Sequence, residues 1–204
     1  MSLAVRPLEI IVPVTLEGSV VRLEPIRREH AELFWDVAKN DLDDIFRWIP
    51  YEMKTREDFQ TLIDKALAEQ ERGESVVFAT VERTSGQTIG STRFMNIDRA
   101  NQRVEIGSTW IAPPWQRTAV NTEAKYLMLR HAFEAWGCMR VELKTDALNQ
   151  KSRHAILRIG AKEEGTLRRH TLTWTGRVRD TVYFSILDNE WPEVKERLVA
   201  MFTR

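Results

Sequence analysis

The spacing of apolar residues along the chain alternates between that of a β-strand and that of a helix. Short runs rich in β-branched residues predict strands, and apolar residues three or four positions apart, as in Phe59, Ile63 and Leu67, predict helices with one buried face. The predicted strands lie at 20–26, 75–82, 88–97, 103–112, 141–145, 166–174 and 179–187. The predicted helices lie at 28–40, 56–71, from the end of a turn at 116–121 to 136, and at 149–159 and 191–202.

This order of elements predicts an α/β (α+β) fold in one domain, with a central, mostly antiparallel twisted sheet of about seven strands flanked by helices. A chain of 204 residues, 43% of them hydrophobic, is long enough for one well-buried core. Residues 1–15 are predicted to form an arm that lies on the domain, and residues 16–204 the domain itself.

The segment 106–136 joins a strand to the long helix through a proline-containing turn. Two consecutive prolines follow Ala112 and cannot continue a hydrogen-bonded ladder, so the strand is expected to end there. Helical spacing resumes with Tyr126, and the turn at 116–121 therefore lies at a helix N-terminus. Unpaired N–H groups and the positive end of the helix dipole attract phosphate at such a place. Thr118 and Asn121 are the candidate N-caps.

Composition excludes several classes of function. Thirty basic residues balance thirty acidic ones, so the overall charge favours neither a nucleic-acid nor a membrane partner. The single cysteine, Cys138, cannot form an internal disulfide and fits a cytoplasmic protein. The apolar run at 8–14 is far shorter than the ~20 residues of a membrane span. The four histidines lack metal-ligand spacing, so no metal is expected, and the glycine motifs of P-loop and dinucleotide enzymes are absent.

Three stretches carry a family resemblance that covers residues 16–191. They are LEGSVVRLEPI near the start, the strand, turn and helix just described, and KTDALNQKSRHAILRIGAKEEG after them. With these stretches the chain resembles the GNAT N-acetyltransferases, and most closely their RimJ/RimL-like branch of ribosomal-protein N-terminal acetyltransferases. The same order of strands and helices is implied by this resemblance.

In that superfamily, a Gln/Arg-x-x-Gly-x-Gly/Ala loop wraps the pyrophosphate of acetyl-CoA. This chain matches the loop with Gln116 and Arg117, but Ala119 and Asn121 stand where the glycines usually do. Glycine lets the backbone approach a phosphate closely, whereas Ala119 adds a methyl group. Asn121 tolerates left-handed backbone and adds an amide donor, so the loop can still cradle a phosphate.

The resemblance implies that acetyl-CoA binds at three places. Backbone groups at the end of a splayed strand would meet the pantetheine and the acetyl carbonyl, at Trp110, Ile111 and Ala112. The pyrophosphate would lie over the loop and helix start, formed by Gln116, Arg117, Thr118, Ala119, Val120, Asn121 and Thr122. The helix after the next strand would contribute Asn149 and Ser152, which match an Asn-x-x-Ser pattern of the branch. Asn149 is also among the best N-cap residue types.

The implied chemistry is direct attack of a primary amine on the thioester of acetyl-CoA. Glu105, in the strand that borders the thioester, is the expected base, with Asp146 or water as alternatives. The tyrosine acid of many superfamily members is Ile156 here, so Ser152 is the candidate that helps the thiolate leave, unless it is an ordinary first-turn serine. Trp48 is expected either on the acceptor side of the cleft or in the core.

Two functions remain open at this point. The first is an N-acetyltransferase, a monomer or homodimer, whose acceptor is a protein N-terminus or a small-molecule amine. The second is a non-catalytic acetyl-CoA sensor or interaction module on the same fold, suggested by the missing loop glycines and the weak acid. Measuring acetyl-CoA binding separately from turnover distinguishes the two, because a sensor binds the thioester without consuming it.

Overall fold

A computed structural model of the chain describes residues 11–202. Its strands are β1 (Leu16–Glu17), β2 (Val21–Pro25), β3 (Val76–Glu82), β4 (Thr88–Asp98), β5 (Arg103–Ile111), β6 (Arg140–Asp146), β7 (Lys162–Leu172) and β8 (Val178–Leu187). Its α-helices are α1 (His30–Ala38), α2 (Leu42–Phe46), α3 (Arg56–Glu71), α4 (Val120–Arg130), α5 (Gln150–Arg158) and α6 (Trp191–Phe202). Residues 1–10 of the predicted arm, and residues 203–204, lie outside the described residues.

The strands of the described region form one sheet in the order β1-β2-β3-β4-β5-β6-β8-β7. Neighbouring strands are antiparallel except β5 and β6, which run parallel. The predicted single α/β domain with a mostly antiparallel sheet is therefore confirmed. The apolar pattern missed two short elements, β1, which is two residues long, and α2, which is five residues long.

The sheet separates two apolar cores. Consecutive residues of β3 point to opposite faces, so Val76 and Phe78 join one core while Val77 and Ala79 join the other. The first core lies against α4, α5 and α6. The second lies against α1, α2 and α3 and is rich in aromatic rings, contributed by Phe34, Phe46, Phe59 and Trp110.

The bounds of α3 and α6 coincide with the predicted helices at 56–71 and 191–202. The long helix differs from its prediction, because α4 ends at Arg130 and a π-helical turn, His131–Ala135, follows. In that turn the Trp136 N–H donates to the His131 carbonyl over 3.0 Å, five residues back. The prediction of Thr118 or Asn121 as N-cap is wrong, since Ala119 occupies that position and forms no side-chain cap hydrogen bond.

Candidate active site

The parallel strands β5 and β6 pair over only three residues and then separate. The paired positions are Arg103 with Arg140, Val104 with Val141, and Glu105 with Glu142. Beyond them, within the described residues, the rest of β5 pairs only with β4, and residues 143–146 of β6 pair only with β8. The two facing backbone edges border a gap, and unpaired N–H and C=O groups there can hydrogen-bond an extended ligand. β5 leads towards α4, and β6 leads towards α5.

A β-bulge interrupts the other side of β5. Ser91 pairs with Trp110 but Arg93 pairs with Gly107, so two β5 residues, Ser108 and Thr109, stand opposite a single β4 residue. Ser108 has a φ of 46°, in the left-handed region that a non-glycine residue rarely adopts. Such a bulge redirects the side chains and backbone groups of its strand.

The start of α4 is open and surrounded by cationic side chains. Ala119, its N-cap, has φ −68° and a side chain that cannot accept a hydrogen bond. The Thr118 hydroxyl accepts the Val120 N–H at 3.3 Å, and the other N–H groups of the first turn are left without a side-chain cap. Arg117 is exposed, and Lys151 and Arg158 reach this turn from α5 through Gln116 and Thr122. Positive charge beside unpaired N–H groups makes this helix start suited to a diphosphate.

Asn121, in the first turn of α4, carries a buried Oδ1 atom without a hydrogen-bond partner among the described residues. Buried side-chain oxygens in proteins are nearly always bonded. This atom can therefore accept a further hydrogen bond at the helix start.

Gln116 links the end of β5 to the first turn of α5. Its Nε2 donates to the Ile111 carbonyl over 2.7 Å, and its Oε1 accepts a hydrogen bond from the Lys151 ammonium. The Ala112 N–H is likewise bonded to the Ile89 carbonyl at 2.9 Å. Two of the backbone groups that the sequence assigned to the cofactor thus already have partners within the protein.

The Trp110 side chain lies in the second core rather than in the gap. It is 4% exposed, and its ring centroid is 5.1 Å from that of Phe34 and 5.4 Å from that of Phe46. Only the backbone of Trp110 remains available to a ligand, which is the role that the sequence gave it.

Asn149 is the N-cap of α5. Its Oδ1 accepts a hydrogen bond from the Ser152 N–H at 3.1 Å. This oxygen therefore caps the helix, as expected of an N-cap asparagine. Ser152 is half-buried, and its hydroxyl forms no hydrogen bond with the described part of the chain. Ile156, where many relatives have tyrosine, is buried in the first core.

Glu105 is buried on the face of the sheet that carries the second core. Its Oε2 accepts a hydrogen bond from Asn96 at 2.7 Å and forms an ion pair with the Lys144 ammonium at 2.9 Å. These contacts fix the carboxylate beside Gly107, at the point where β5 and β6 separate.

Asp146, the alternative carboxylate, is more heavily engaged. It is buried, pairs with the Arg177 guanidinium, lies 4.0 Å from the Arg179 Nε, and accepts the Leu148 N–H at 3.0 Å. Burial lowers the pKa of Arg179, and the adjacent carboxylate opposes that shift. The arrangement fixes the turn between β6 and α5.

A groove runs along α3 on the same face as Glu105. It encloses about 1130 Å³ of space open to solvent and reaches Ser108 of the bulge. At its floor, Arg93 pairs with Glu69 at 3.1 Å, and the Tyr51 hydroxyl lies against Arg93 and Ser108. Burial raises the pKa of Tyr51, so its hydroxyl stays protonated. Asn96 lines the groove and connects it to Glu105.

Trp48 lies at the edge of this face and is half-buried. The guanidinium carbon of Arg177 is 5.7 Å from its ring centroid, and that of Arg47 is 5.3 Å away. Trp48 thus connects the α2 segment to the β7–β8 hairpin and is not a member of either apolar core.

Two residues of α4 that the sequence did not single out are buried and polar. Glu123 accepts hydrogen bonds from the N–H groups of Ser19, Val20 and Val21 and from the Ser19 hydroxyl, at 2.6–2.8 Å. Lys125 donates to Thr109 at 2.7 Å and to Thr92 at 3.3 Å, and burial lowers its pKa to about 7. The only signal in the sequence is two charged residues, two positions apart, in the first turns of a helix.

Gly18 shows how closely the β1–β2 turn approaches Glu123. A Cβ atom at Gly18 would lie 2.4 Å from the Glu123 Oε2. Position 18 therefore has room for glycine but not for a residue with a side chain.

Residues 11–202 contain neither a cluster of metal-ligating side chains nor a helix that could span a membrane. No group of three His, Cys, Asp or Glu side chains in that range could hold a metal ion. None of the helices in that range combines the length and the apolar character that crossing a membrane requires.

Most of the chain matches a known protein family. A profile of the acetyltransferase (GNAT) domain matches residues 21–162. YdaF of Bacillus subtilis, named as a ribosomal N-acetyltransferase, is 36% identical over 106 residues, which are 52% of this chain and 57% of YdaF. The match thus spans little more than half the length of that relative.

Solved structures of related proteins share the fold over nearly the whole chain. A GCN5-related N-acetyltransferase from Brucella melitensis superposes with a TM-score of 0.88 at 33% identity, covering 95% of this chain and 87% of its own. RimJ from Mycobacterium smegmatis, solved in complex with CoA-disulfide, superposes with a TM-score of 0.78 at 25% identity, covering 96% of this chain and 92% of its own.

Proposed function

The chain belongs to the GNAT acetyltransferase family, and we propose that it transfers an acetyl group from acetyl-CoA to a primary amine by direct attack of the amine on the thioester. The observation that carries this proposal is the gap between β5 and β6, together with the uncapped start of α4. Backbone edges suit an extended chain with amide groups, and an open helix start suits a diphosphate. Acetyl-CoA contains both parts in one molecule.

The proposed pyrophosphate site is the loop and helix start formed by Gln116, Arg117, Thr118, Ala119, Val120, Asn121 and Thr122. Its backbone conformation is compatible with the two residues that replace the usual glycines. Arg117 has the left-handed backbone, with φ 61°, whereas Ala119 has an ordinary helical φ of −68° and Asn121 lies within α4. Neither substituted position therefore needs glycine for conformational reasons.

We place the general base at Glu105 and the group that assists the departing thiolate at Ser152. Glu105 borders the separation of β5 and β6, is held by Lys144 and Asn96, and is connected through Asn96 to the groove along α3. Asp146 is occupied by two arginines and a backbone N–H, which favours Glu105. The Ser152 hydroxyl has no partner in the described region and can donate a hydrogen bond.

Replacing Glu105 with Gln tests this assignment. Glutamine keeps the shape but cannot accept the amine proton, so kcat should fall by roughly 10² or more while the Kd for acetyl-CoA changes little. Glu142→Gln is the matched control, because Glu142 is the register partner of Glu105 on β6 and is paired instead with Arg140 at 2.8 Å. If Glu105→Gln and Glu142→Gln have the same kcat and pH–rate profile, the base lies elsewhere.

The acceptor is proposed to enter from the groove along α3, near Trp48 and Tyr51. The name of YdaF supports a ribosomal-protein N-terminus as the acceptor. A small-molecule amine presents the same nucleophile, and pocket shape rather than fold decides between them. A thiol-release screen with acetyl-CoA against N-terminal peptides and small amines separates the two classes.

The link from Lys151 through Gln116 to the Ile111 carbonyl favours a second candidate function, a non-catalytic acetyl-CoA sensor. This link engages a backbone acceptor at the edge of the proposed donor site. A sensor would bind acetyl-CoA in calorimetry and release no thiol with any acceptor in the screen. Release of thiol that depends on an amine excludes the sensor.

A further inference from the structure

Lys125 is an energetic anomaly in this fold. It is 6% exposed, and its ammonium group has hydroxyl partners but no carboxylate partner in the described part of the chain. Lysine is almost never fully buried without an opposite charge, because removing the ammonium from water costs several kcal/mol. Burial alone accounts for the lowered pKa of Lys125. An apolar residue of similar length would stabilise this position better, so the lysine calls for a functional explanation.

The two partners of Lys125 lie on either side of the bulge. Thr92 is the single β4 residue opposite the two bulged residues, and Thr109 is one of those two. Their hydroxyl oxygens are 2.8 Å apart, and Lys125 donates to both. The side-chain cluster therefore connects β4 to β5 where the backbone ladder is broken. We define these three residues as the bulge clamp.

The bulge clamp acts on both sides of β5. Ser108 precedes Thr109, has left-handed backbone, and lines the groove beside Tyr51. The opposite edge of this part of β5 faces the gap to β6. Holding the Thr109 side chain therefore fixes the direction of the backbone groups at 108–109, where the β4 ladder is interrupted.

Lys125 also belongs to the helix whose start forms the proposed diphosphate site. Residues 121 and 125 are one helical turn apart, about 6 Å along the axis. The same short stretch of α4 thus contacts both ends of the proposed donor site, the phosphate end through its first turn and the thioester end through Lys125.

We propose that Lys125 is a positioning residue, which through Thr92 and Thr109 holds the β5 bulge in the orientation that the thioester requires. The proposal rests on the proposed acetyl transfer, and Lys125 itself touches neither acetyl-CoA nor the acceptor. Its role is to set the backbone of residues 108–110, which borders the reacting carbonyl.

Lys125→Met tests the proposal, since methionine is apolar and of similar length. We expect kcat to fall by about 10-fold or more, because misplacement of a site by a fraction of an ångström has effects of this order. The Kd for acetyl-CoA should stay within about 3-fold, since the start of α4 is intact. The melting temperature should stay equal or rise, because a buried unpaired cation has been removed. A merely structural lysine would lose stability and activity together.

Thr109→Val is the complementary variant. It removes the nearer partner of Lys125 and leaves the ammonium bonded to Thr92 alone. Turnover should fall as in Lys125→Met, while the melting temperature should fall instead of rising, and the double variant should have the kcat of either single one. Lys195→Met, at a lysine of α6 paired with Glu134 at 2.8 Å, is the control and should keep the parent turnover.

The melting temperatures should also depend on pH. The pKa of Lys125 is about 7 in the folded chain against the ordinary 10.5, so the unfolded chain binds a proton that the folded chain lacks between these values. The advantage of Lys125→Met should be greatest at and below pH 7 and disappear towards pH 10.5. The neutral hydroxyls of Thr92 and Thr109 face the amine, and Thr92 also contacts Met128. Glu123 is bonded to the β1–β2 turn, and His131 packs against Phe94 and Trp136.

Amide hydrogen exchange provides a readout that is independent of turnover. Residues 108–110 should exchange severalfold faster in Lys125→Met than in the parent, with other β5 amides unchanged. If the parent transfers no acetyl group, the proposed function fails, and the exchange comparison still decides whether Lys125 holds the bulge. Equal exchange at 108–110, or parent-level kcat in Lys125→Met, overturns the proposal.

Discussion

The starts of α4 and α5 follow the two strands that border the same gap, yet they are built differently. α5 begins with Asn149, whose side chain caps its own first turn. α4 begins with Ala119, which has no capping side chain, and the neighbouring Thr118 hydroxyl accepts the N–H of Val120 at 3.3 Å. Its first-turn side chains bond outward instead, Glu123 to the β1–β2 turn and Thr122 to Arg158 at 2.9 Å.

This difference distinguishes a binding helix start from a structural one. A cap satisfies the N–H groups of a helix internally, and the helix then gains about 1 kcal/mol and loses its attraction for an anion. α4 forgoes that contribution and is anchored from the side by Glu123, so its backbone donors stay available. Loss of a backbone donor at the start of α4 should therefore weaken acetyl-CoA binding, whereas loss of the cap of α5 should lower stability and leave binding unchanged.

The largest effect should come from the anchor. Glu123→Ala leaves the N–H groups of Ser19, Val20 and Val21 without their acceptor, and unfolding free energy should fall by about 3 to 5 kcal/mol in urea denaturation. Glu123→Gln retains one oxygen and should lose less. A loss no greater than that of a single N-cap would show that Glu123 does not anchor α4.

A smaller effect is expected in binding alone. Ala119→Pro removes one backbone donor, and its φ of −68° already suits the proline ring, so the fold should persist. Acetyl-CoA affinity in calorimetry should fall about 10-fold to 100-fold, the cost of one hydrogen bond to a charged group. Ala119→Gly keeps the N–H, adds no capping side chain and serves as the control. Unchanged affinity in a folded Ala119→Pro variant would contradict the proposed pyrophosphate site.

The smallest effect should be at the other helix. Asn149→Ala removes a cap, so the free energy of unfolding should fall by about 1 kcal/mol. Acetyl-CoA affinity should remain at the parent value, because the Asn149 oxygen is occupied by Ser152. A fall in affinity without a change in stability would place Asn149 in the donor site and remove the distinction between the two helix starts.

Local patterns were sufficient for most of the fold. The bounds of α3 and α6 follow from apolar spacing, and the end of β5 follows from the prolines after Ala112. Each of these signals lies within the element that it defines or directly beside it. β1 has only two residues and α4 passes into a π-helical turn, and neither feature has a period that a short window can detect.

The environment of the candidate site depended on contacts between distant residues. Burial of Glu123 is decided by residues 19–21, more than a hundred positions earlier, and the fixed orientation of Glu105 is decided by Lys144 on the next strand in the sheet. The groove residue Tyr51 and the bulge clamp likewise become visible only when β4, β5 and their neighbouring helices are assembled. The sequence located the loop at 116–122 because one local segment contains it.

The π-helical turn at His131–Ala135 has an evolutionary consequence. A π turn holds one residue more than an α turn, so a deletion of one residue there can be absorbed by tightening the turn. The same deletion between Val120 and Arg130 would rotate Lys125 away from Thr109. Insertions and deletions among descendants of this chain are therefore expected to collect in the π turn, and alignments with relatives should open a single-residue gap there.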